Sequence, residues 1–424
     1  MSRILLLLYI LLGNGVGMLL FLGRALCSRA STSKSALIRR SDADSCRMII
    51  AGKNPFQNTA TGILTSLQSR AGPNQALRKA FGINNAFTSE DNNVVKDFVA
   101  KARTRMNLYI ADWERAATLA ATTLKSLGFL EQVGRDCDGA TSRTVPVANV
   151  VQVTCLTVVL STILQADIDK FQYKDILDLA EGINRIWVSS KNMKEELRPV
   201  YQKEVALHNI LRAIFPGIQV DDSTQNPLNL ILPSFETLWR IVLRTFLEVI
   251  SSRKPEFKQA LEAFFRSPGK EQFNHQISPG ISARNIISEA LRLYPPTRRV
   301  YRHVRNPGTD KPILYAADIE ACHRNAIVWG PDALNFYPGR WESLNNSQKA
   351  SFMPFGAEPF LCPAKPVFGP RMIALLVGAL LCNYADGWEL HGRFGKRDIN
   401  MITEGVYLDR NSCGELYLMR QIEE

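Results

Sequence analysis

The stretch Ser351–Met372, SFMPFGAEPFLCPAKPVFGPRM, sets a single cysteine, Cys362, among prolines and glycines with almost no polar partner. Prolines and glycines forbid a regular helix or strand there, so the segment reads as a rigid loop that ends where RMIALLVGALL turns helical. A thiol held at the approach to a helix suits a thiolate that must face something, because loop N–H groups and the positive helix end favour negative charge. An inert buried cysteine has similar surroundings, since free cysteine is among the most buried residue types. The loop alone leaves both readings open.

Two other groups have the spacing to act together. In EALR, Glu289 and Arg292 stand three apart and share a helix face. Such a pair is usually a solvated contact worth little. Here Ile286, Ile287, Leu291 and Leu293 flank it and Tyr294-Pro295-Pro296 follows at once, so it reads as partly buried and in need of another partner. FYPGRW, further on, offers Arg340 beside Trp341 in a proline-shaped turn; a guanidinium sharing the Glu289 carboxylate would tie two distant segments together. The second group is Glu236-Thr237, an acid and an alcohol side by side in NLILPSFETLWRIVLRTFLEVISS. A helical threonine often bonds back to a carbonyl of its own helix, and that reading competes with a catalytic one.

The elements that must position these groups are mostly helical. NVVKDFVAKARTRMNLYIADWERAATLAATTLKSLGFL carries apolar residues at three-and-four spacing. VVQVTCLTVVLSTIL reads as a buried helix or a strand. DILDLAEGINRIWVSS and KNMKEELRPVYQKEVALHNILRAIF read as amphipathic helices, and the Pro233 stretch as one long apolar helix. Short strand-like pieces, RRVYRHV and NAIVWG, follow the Pro-Pro. The sum is a mainly α protein with a small β component in its later half, and no internal repeat.

With 424 residues, 46% hydrophobic and 21% charged, the chain is neither disordered nor a multi-span membrane protein. Its eight cysteines form no C-x-x-C pair, which argues against a zinc ribbon or a disulfide framework and for a reducing compartment. His208, His275, His323 and His391 are dispersed without metal-ligand spacing and read as core or surface residues. Net charge +11 favours an acidic partner, a membrane surface or a protein; no nucleic-acid-binding signature accompanies it. Ile4–Leu22 is nineteen residues without a charge, enough to cross a hydrocarbon core of ~30 Å. Arg24, Arg29, Lys34, Arg39 and Arg40 follow, so residues 1–23 read as a signal anchor with a cytosolic body, 24–45 as a linker and 46–424 as the functional domain. A cleaved signal is the competing reading, kept alive by Gly13, Asn14, Gly15 and Gly17.

EALRLYPP, FYPGRW and FMPFGAEPFLCPA, in that order, resemble the cytochrome P450 superfamily, and NAIVWGPDALNFYPGRW resembles the corresponding stretch of fungal microsomal members. The convincing resemblance covers roughly residues 226 to 385 and implies a cytochrome P450-like fold behind the anchor helix. It implies that Cys362 ligates haem iron, that Glu289, Arg292 and Arg340 form the family's structural triad, and that Glu236 and Thr237 are the acid–alcohol pair that delivers protons during oxygen activation. It implies haem b, electrons from NADPH through a flavoprotein reductase, an apolar small-molecule substrate, and a body on the cytosolic face of the endoplasmic reticulum membrane. The likeness to fungal members adds an expected role in specialised metabolism.

The departures are specific. Pro233 and Ser234 replace the small residue and glycine usual before the acid–alcohol pair; Glu358 and Ala364 stand where glycines are usual. Phe360 stands where a basic residue normally meets a haem propionate, and Arg302 or His303 in RRVYRHV are the candidates to supply that contact. The front segment is short for the family's β-rich lobe. These features motivate two rival expectations: a haem protein that rearranges an oxidised substrate without the full oxygen cycle, and one that has lost activity.

Overall fold

The computed structural model describes residues 37–56, 64–135, 141–305, 311–392, 414 and 416–422. The apolar stretch 4–22 and most of the linker after it lie outside the described residues, and no helix among those described is long and apolar enough to cross a membrane. The chain divides into residues 1–38 and 39–424. Of the first, only Leu37 and Ile38 are described, in the short strand β1 (Leu37–Arg40).

In the second unit, the helices that matter to the site are α1 (Ser66–Ala71), α2 (Ile110–Lys125), α3 (Val147–Thr162), α4 (Leu228–Phe235), α5 (Leu238–Ser252), α6 (Pro255–Arg266), α7 (Ala283–Leu293) and α8 (Phe368–Tyr384). Helix α3 is the segment whose β-branched run left helix or strand open. It is buried on every side, from Val147 to Leu160, and packs against α2, α5 and the helix Tyr173–Asn192. A helix apolar all round belongs in the middle of a core, where packing overrides the weak helix preference of valine. Helix α6 shows the opposite design: Phe257, Ala260, Leu261 and Phe264 form one stripe at three-and-four spacing, pressed onto α8.

Three stretches depart from the sequence reading. Residues 228–252 are two helices: Pro233 lies inside the first, where it has no N–H for the Asn229 carbonyl, and the helical run is interrupted at Glu236-Thr237. KNMKEELRPVYQKEVALHNILRAIF opens on the last two residues of the helix Tyr173–Asn192 and is α-helical again only over Val205–Ile214, beyond Pro199. NAIVWG is a short helix, Ala326–Trp329, whose Asn325 side chain accepts the Ile327 N–H and whose Gly330 ends it at φ +90°.

The strands form a hairpin and a larger sheet. Strands β4 (Arg299–Val304) and β5 (Ile313–Asp318) pair antiparallel, with Arg302 opposite Tyr315 and His303 opposite Leu314. A four-stranded sheet combines β2 (Gln132–Arg135), β3 (Thr141–Pro146), β6 (Glu389–Gly392) and β7 (Leu416–Gln421) in the order β2-β3-β7-β6. Its β3–β7 pairing sets Val145 opposite Leu418, both buried, and joins the middle of the chain to its far end.

Helix α8 carries the cysteine loop at its front and depends on close approach to α6. A Cβ on Gly378 would run into the Leu261 carbonyl oxygen and sit 2.7 Å from Phe265 Cβ. Gly378→Val is therefore expected to force the two helices apart and cost about 1–3 kcal/mol. A fall of several degrees in the thermal unfolding midpoint would be the readout.

Candidate active site

The Glu289 carboxylate, fully buried on α7, accepts five hydrogen bonds. Arg292 Nε and Nη2 donate to it at 2.9 and 2.8 Å, and Arg340 Nε donates at 2.9 Å. The Tyr337 backbone N–H and Trp341 Nε1 each add a bond at 3.0 Å. Arg292 spends its other donors on the carbonyls of His323, Ala333 and Asn335, and Arg340 reaches the Asp332 carboxylate at 3.0 Å. Two carboxylates and two guanidiniums thus balance, and one side chain ties α7 to the turn region 329–341. Trp341, which the sequence placed only beside Arg340, is a full member.

His323 extends this network toward the cysteine. Its Nδ1 lies 3.1 Å from the Arg292 carbonyl, which can only accept, so Nδ1 carries the proton. Nε2 is left to accept the Met353 N–H at 3.0 Å. Burial pushes this imidazole down to about 3, so it stays neutral and pins the start of the cysteine loop to the end of α7.

The loop itself is a chain of tight turns. The Gly356 N–H donates to Met353, Phe360 to Ala357, Cys362 to the Phe355 carbonyl, Lys365 to Cys362 and Gly369 to Ala364. Gly356 sits at φ +75°, which favours glycine, whereas Glu358 and Ala364 both keep negative φ. Glycine is therefore not conformationally required at those two departures. Gly369, in the first turn of α8, leaves room for the Phe355 ring, 2.8 Å from where its Cβ would stand. Phe368 packs on Trp113 of α2 and the Arg371 guanidinium lies 4.3 Å from that indole, fixing the helix end.

The Cys362 thiol ends this construction. The Ala364 backbone N–H points at the sulfur and the Arg70 charge lies near it, both favouring thiolate. Burial outweighs them and pushes the thiol above its ordinary value. The protein positions the sulfur without ionising it, and a bound cation is what would complete the deprotonation.

Around Phe360 the charges are not balanced. Arg302 of β4 is buried, donates to the Ile50 and Tyr301 carbonyls, and places its guanidinium 5.3 Å from the Phe360 ring. Burial and the neighbouring Arg70 push it down to about 9. His303 points the other way in the strand, its ring against Gly72, so β4 brings Arg302 and not His303 to the loop. Arg70 is also buried, with Phe87 and Phe360 each 4.5 Å from its guanidinium carbon. Among the described residues no carboxylate lies within ion-pair distance of either arginine. A partly buried thiol near the uncompensated Arg70, with a second uncompensated cation, Arg302, at the same Phe360 ring, fits haem, whose iron and two propionates would supply the missing charges.

Glu236 and Thr237 occupy the break between α4 and α5. Glu236 is buried, and its carbonyl accepts from Arg240 Nε at 2.8 Å. Thr237 Oγ1 donates to the Pro233 carbonyl at 3.3 Å, and Ser234 Oγ to Leu230 at 2.5 Å. Both hydroxyls thus bond back to carbonyls one turn earlier in the chain.

Solved structures share this architecture. A cytochrome P450DA haem-domain mutant is similar over 92% of this chain and 88% of its own, at TM-score 0.57 and 16% identity. CYP175A1 from Thermus thermophillus is similar over 83% of both chains, at TM-score 0.56 and 15% identity. The fold is therefore the cytochrome P450 fold. The family model for Cytochrome P450 matches residues 283–385, from α7 through α8. Relatives match over short segments: cytochrome P450 714A2 of Arabidopsis thaliana at 32% identity over 24% of this chain and 21% of its own. Cytochrome P450 monooxygenase FPY7 of Fusarium mangiferae is 36% identical over 22% of this chain and 20% of its own. Cytochrome P450 4B1 of Homo sapiens is 40% identical over 18% and 16%. The matched segment spans about a fifth of those relatives' length.

Two outcomes follow from the network. Glu289→Gln leaves Arg292 and Arg340 with uncompensated buried charge, an expected loss of about 3–5 kcal/mol, read in thermal unfolding or soluble yield. His323 is depressed in the folded state, so the unfolded chain binds the extra proton between about pH 6.5 and pH 3. Stability attributable to it is full above pH 6.5 and falls with acid, by on the order of 1.4 kcal/mol per pH unit. His323→Gln, which can keep both hydrogen bonds, should flatten that part of the stability–pH curve.

Proposed function

We propose that the protein is a haem-thiolate monooxygenase that oxidises an apolar small molecule, with Cys362 as the residue that would bind the haem iron. The observation that carries the reading is the Cys362 thiol, fixed by the turns of residues 353–369 at the front of a buried helix and flanked by buried cations lacking a counter-charge. Haem bound there supplies the oxygen chemistry, its thiolate pushing electron density to favour O–O cleavage. One oxygen atom enters the substrate, and the other leaves as water with two electrons and two protons from outside.

The chain's own residues hold and move protons around that event. The Ala364 N–H stabilises the sulfur's charge and the turn bonds keep it from swinging. Thr237 donates to Pro233 and keeps two lone pairs, so it can accept from an incoming O–H while buried Glu236 stands next to it as proton source. Glu289, Arg292, Arg340 and His323 act only by holding the loop.

The finer reading adds an anchor at residues 4–22 in the endoplasmic reticulum membrane, a cytosolic body, and a flavoprotein reductase passing electrons from NADPH. Net charge +11 supports an acidic docking partner. Likeness to the Fusarium monooxygenase supports a place in fungal specialised metabolism. A second reading has its own observation: the Thr237 hydroxyl already bonds to Pro233, as in a protein that rearranges an oxidised substrate and needs no proton delivery.

The reduced, carbon-monoxide-bound absorption spectrum tests the ligand. A strongly red-shifted main band is expected, lost in Cys362→Ala; a spectrum typical of histidine-bound haem would reject the assignment. Thr237→Ala should lower product formed per NADPH consumed by about tenfold or more if it relays protons. Unchanged coupling, or turnover without NADPH, would favour the second reading.

A further inference from the structure

We propose that Arg70 of α1, together with Arg302, takes the place of the loop base that Phe360 displaces, and that the two guanidiniums bind the two propionate carboxylates of haem across the Phe360 ring. This assignment rests on the haem-thiolate reading above.

Arg70 is held in place by local contacts on both sides of α1. Thr65 and Gln68 form a capping box that starts α1, with the Thr65 side chain taking the Gln68 N–H at 3.2 Å and Gln68 returning the bond to Thr65 at 3.0 Å. After the helix, Asn74 Nδ2 donates to the Arg70 carbonyl at 3.0 Å and the Phe87 carbonyl at 3.2 Å, clamping the arginine to the ring it stacks on. Gly72 then lets this turn approach β4: a Cβ there would collide with His303 Nδ1. The same strand delivers Arg302 from the neighbouring position, so Gly72 sets the spacing between the two cations.

What remains unused on Arg70 defines its ligand. Phe87 and Phe360 each lie 4.5 Å from the Arg70 guanidinium carbon, and its N–H groups make no hydrogen bond to any described residue. A planar fork of free donors in a buried site fits a carboxylate bound side-on. Arg302 commits Nε and Nη1 to carbonyls and has no described partner on Nη2. Two cations sharing one aromatic ring call for two anionic groups on one ligand. A basic residue at 360 would add a third positive charge to the pair, which is why a neutral ring suits that position here.

The experiment is haem transfer from the loaded protein to excess apomyoglobin, with thermal unfolding of the haem-free protein alongside. Arg70→Met should lose haem about tenfold faster or more while keeping the red-shifted carbon-monoxide band, and Arg70→Lys should fall between. The haem-free Arg70→Met protein should melt no lower than wild type, because an uncompensated buried charge has been removed. A wild-type rate of haem loss with the band intact would overturn this assignment and leave the haem-thiolate reading standing. Faster loss accompanied by a lower melting point in the haem-free protein would also overturn it, as the mark of a merely structural arginine. No red-shifted band in the wild type would remove both.

Discussion

A carboxylate taken out of water with two guanidiniums is tolerable only if every lone pair and proton finds a partner, and Glu289 meets that condition with five donors. Charge of that kind is poor glue in net energy but strict in geometry, since moving any one member strands the others. The strictness is inherited along the chain. Arg292 fixes the carbonyls of residues 323–335, His323 fixes Met353, and the turns from Met353 to Gly369 fix Cys362. The sulfur's position is thus set by a charge network several turns away as well as by the turn bonds of its own loop.

The contrast with the arginines at Phe360 carries the functional argument. Both clusters bury guanidiniums, yet one is closed by protein carboxylates and the other is open among the described residues. Folding has no use for the second arrangement, because unpaired buried charge only costs free energy. Such a cost is retained where something outside the chain offsets it, which is what separates a site from scaffold.

Much of this was readable from short-range signals. Proline and glycine density marked the Cys362 loop, and the three-residue spacing in EALR put Glu289 and Arg292 on one face. Other parts had no local signal. Strands β2 and β3 escaped notice because β3 completes itself only by pairing with β7, from the far end of the chain. NAIVWG looked like a strand from its β-branched residues, but the Asn325 cap and Gly330 decide for helix. Arg70 lies in SLQSRAGPNQ, too short and polar to show a period. The Thr65-x-x-Gln68 capping box and the Gly-Pro after it were the only signs of a fixed helix there. Its role depends on Phe87 and Phe360, which meet it only in three dimensions.

Loading the site would settle the electrostatics at every point together. Burial raises the Cys362 thiol above its ordinary value despite the Ala364 N–H and the Arg70 charge, so a positive centre at the sulfur would favour the thiolate. A ferric porphyrin core carries one formal positive charge for that thiolate, and its two propionates carry one negative charge each for Arg70 and Arg302. Neither half of the exchange is favourable alone: propionates without iron leave the thiol protonated, and a bare iron ion leaves two cations unpaired. Only a group that holds metal and carboxylates at a fixed separation satisfies both. On the haem-thiolate reading, the close approach at Gly72 on one side and the 353–369 turns on the other would favour the whole macrocycle over either of its parts.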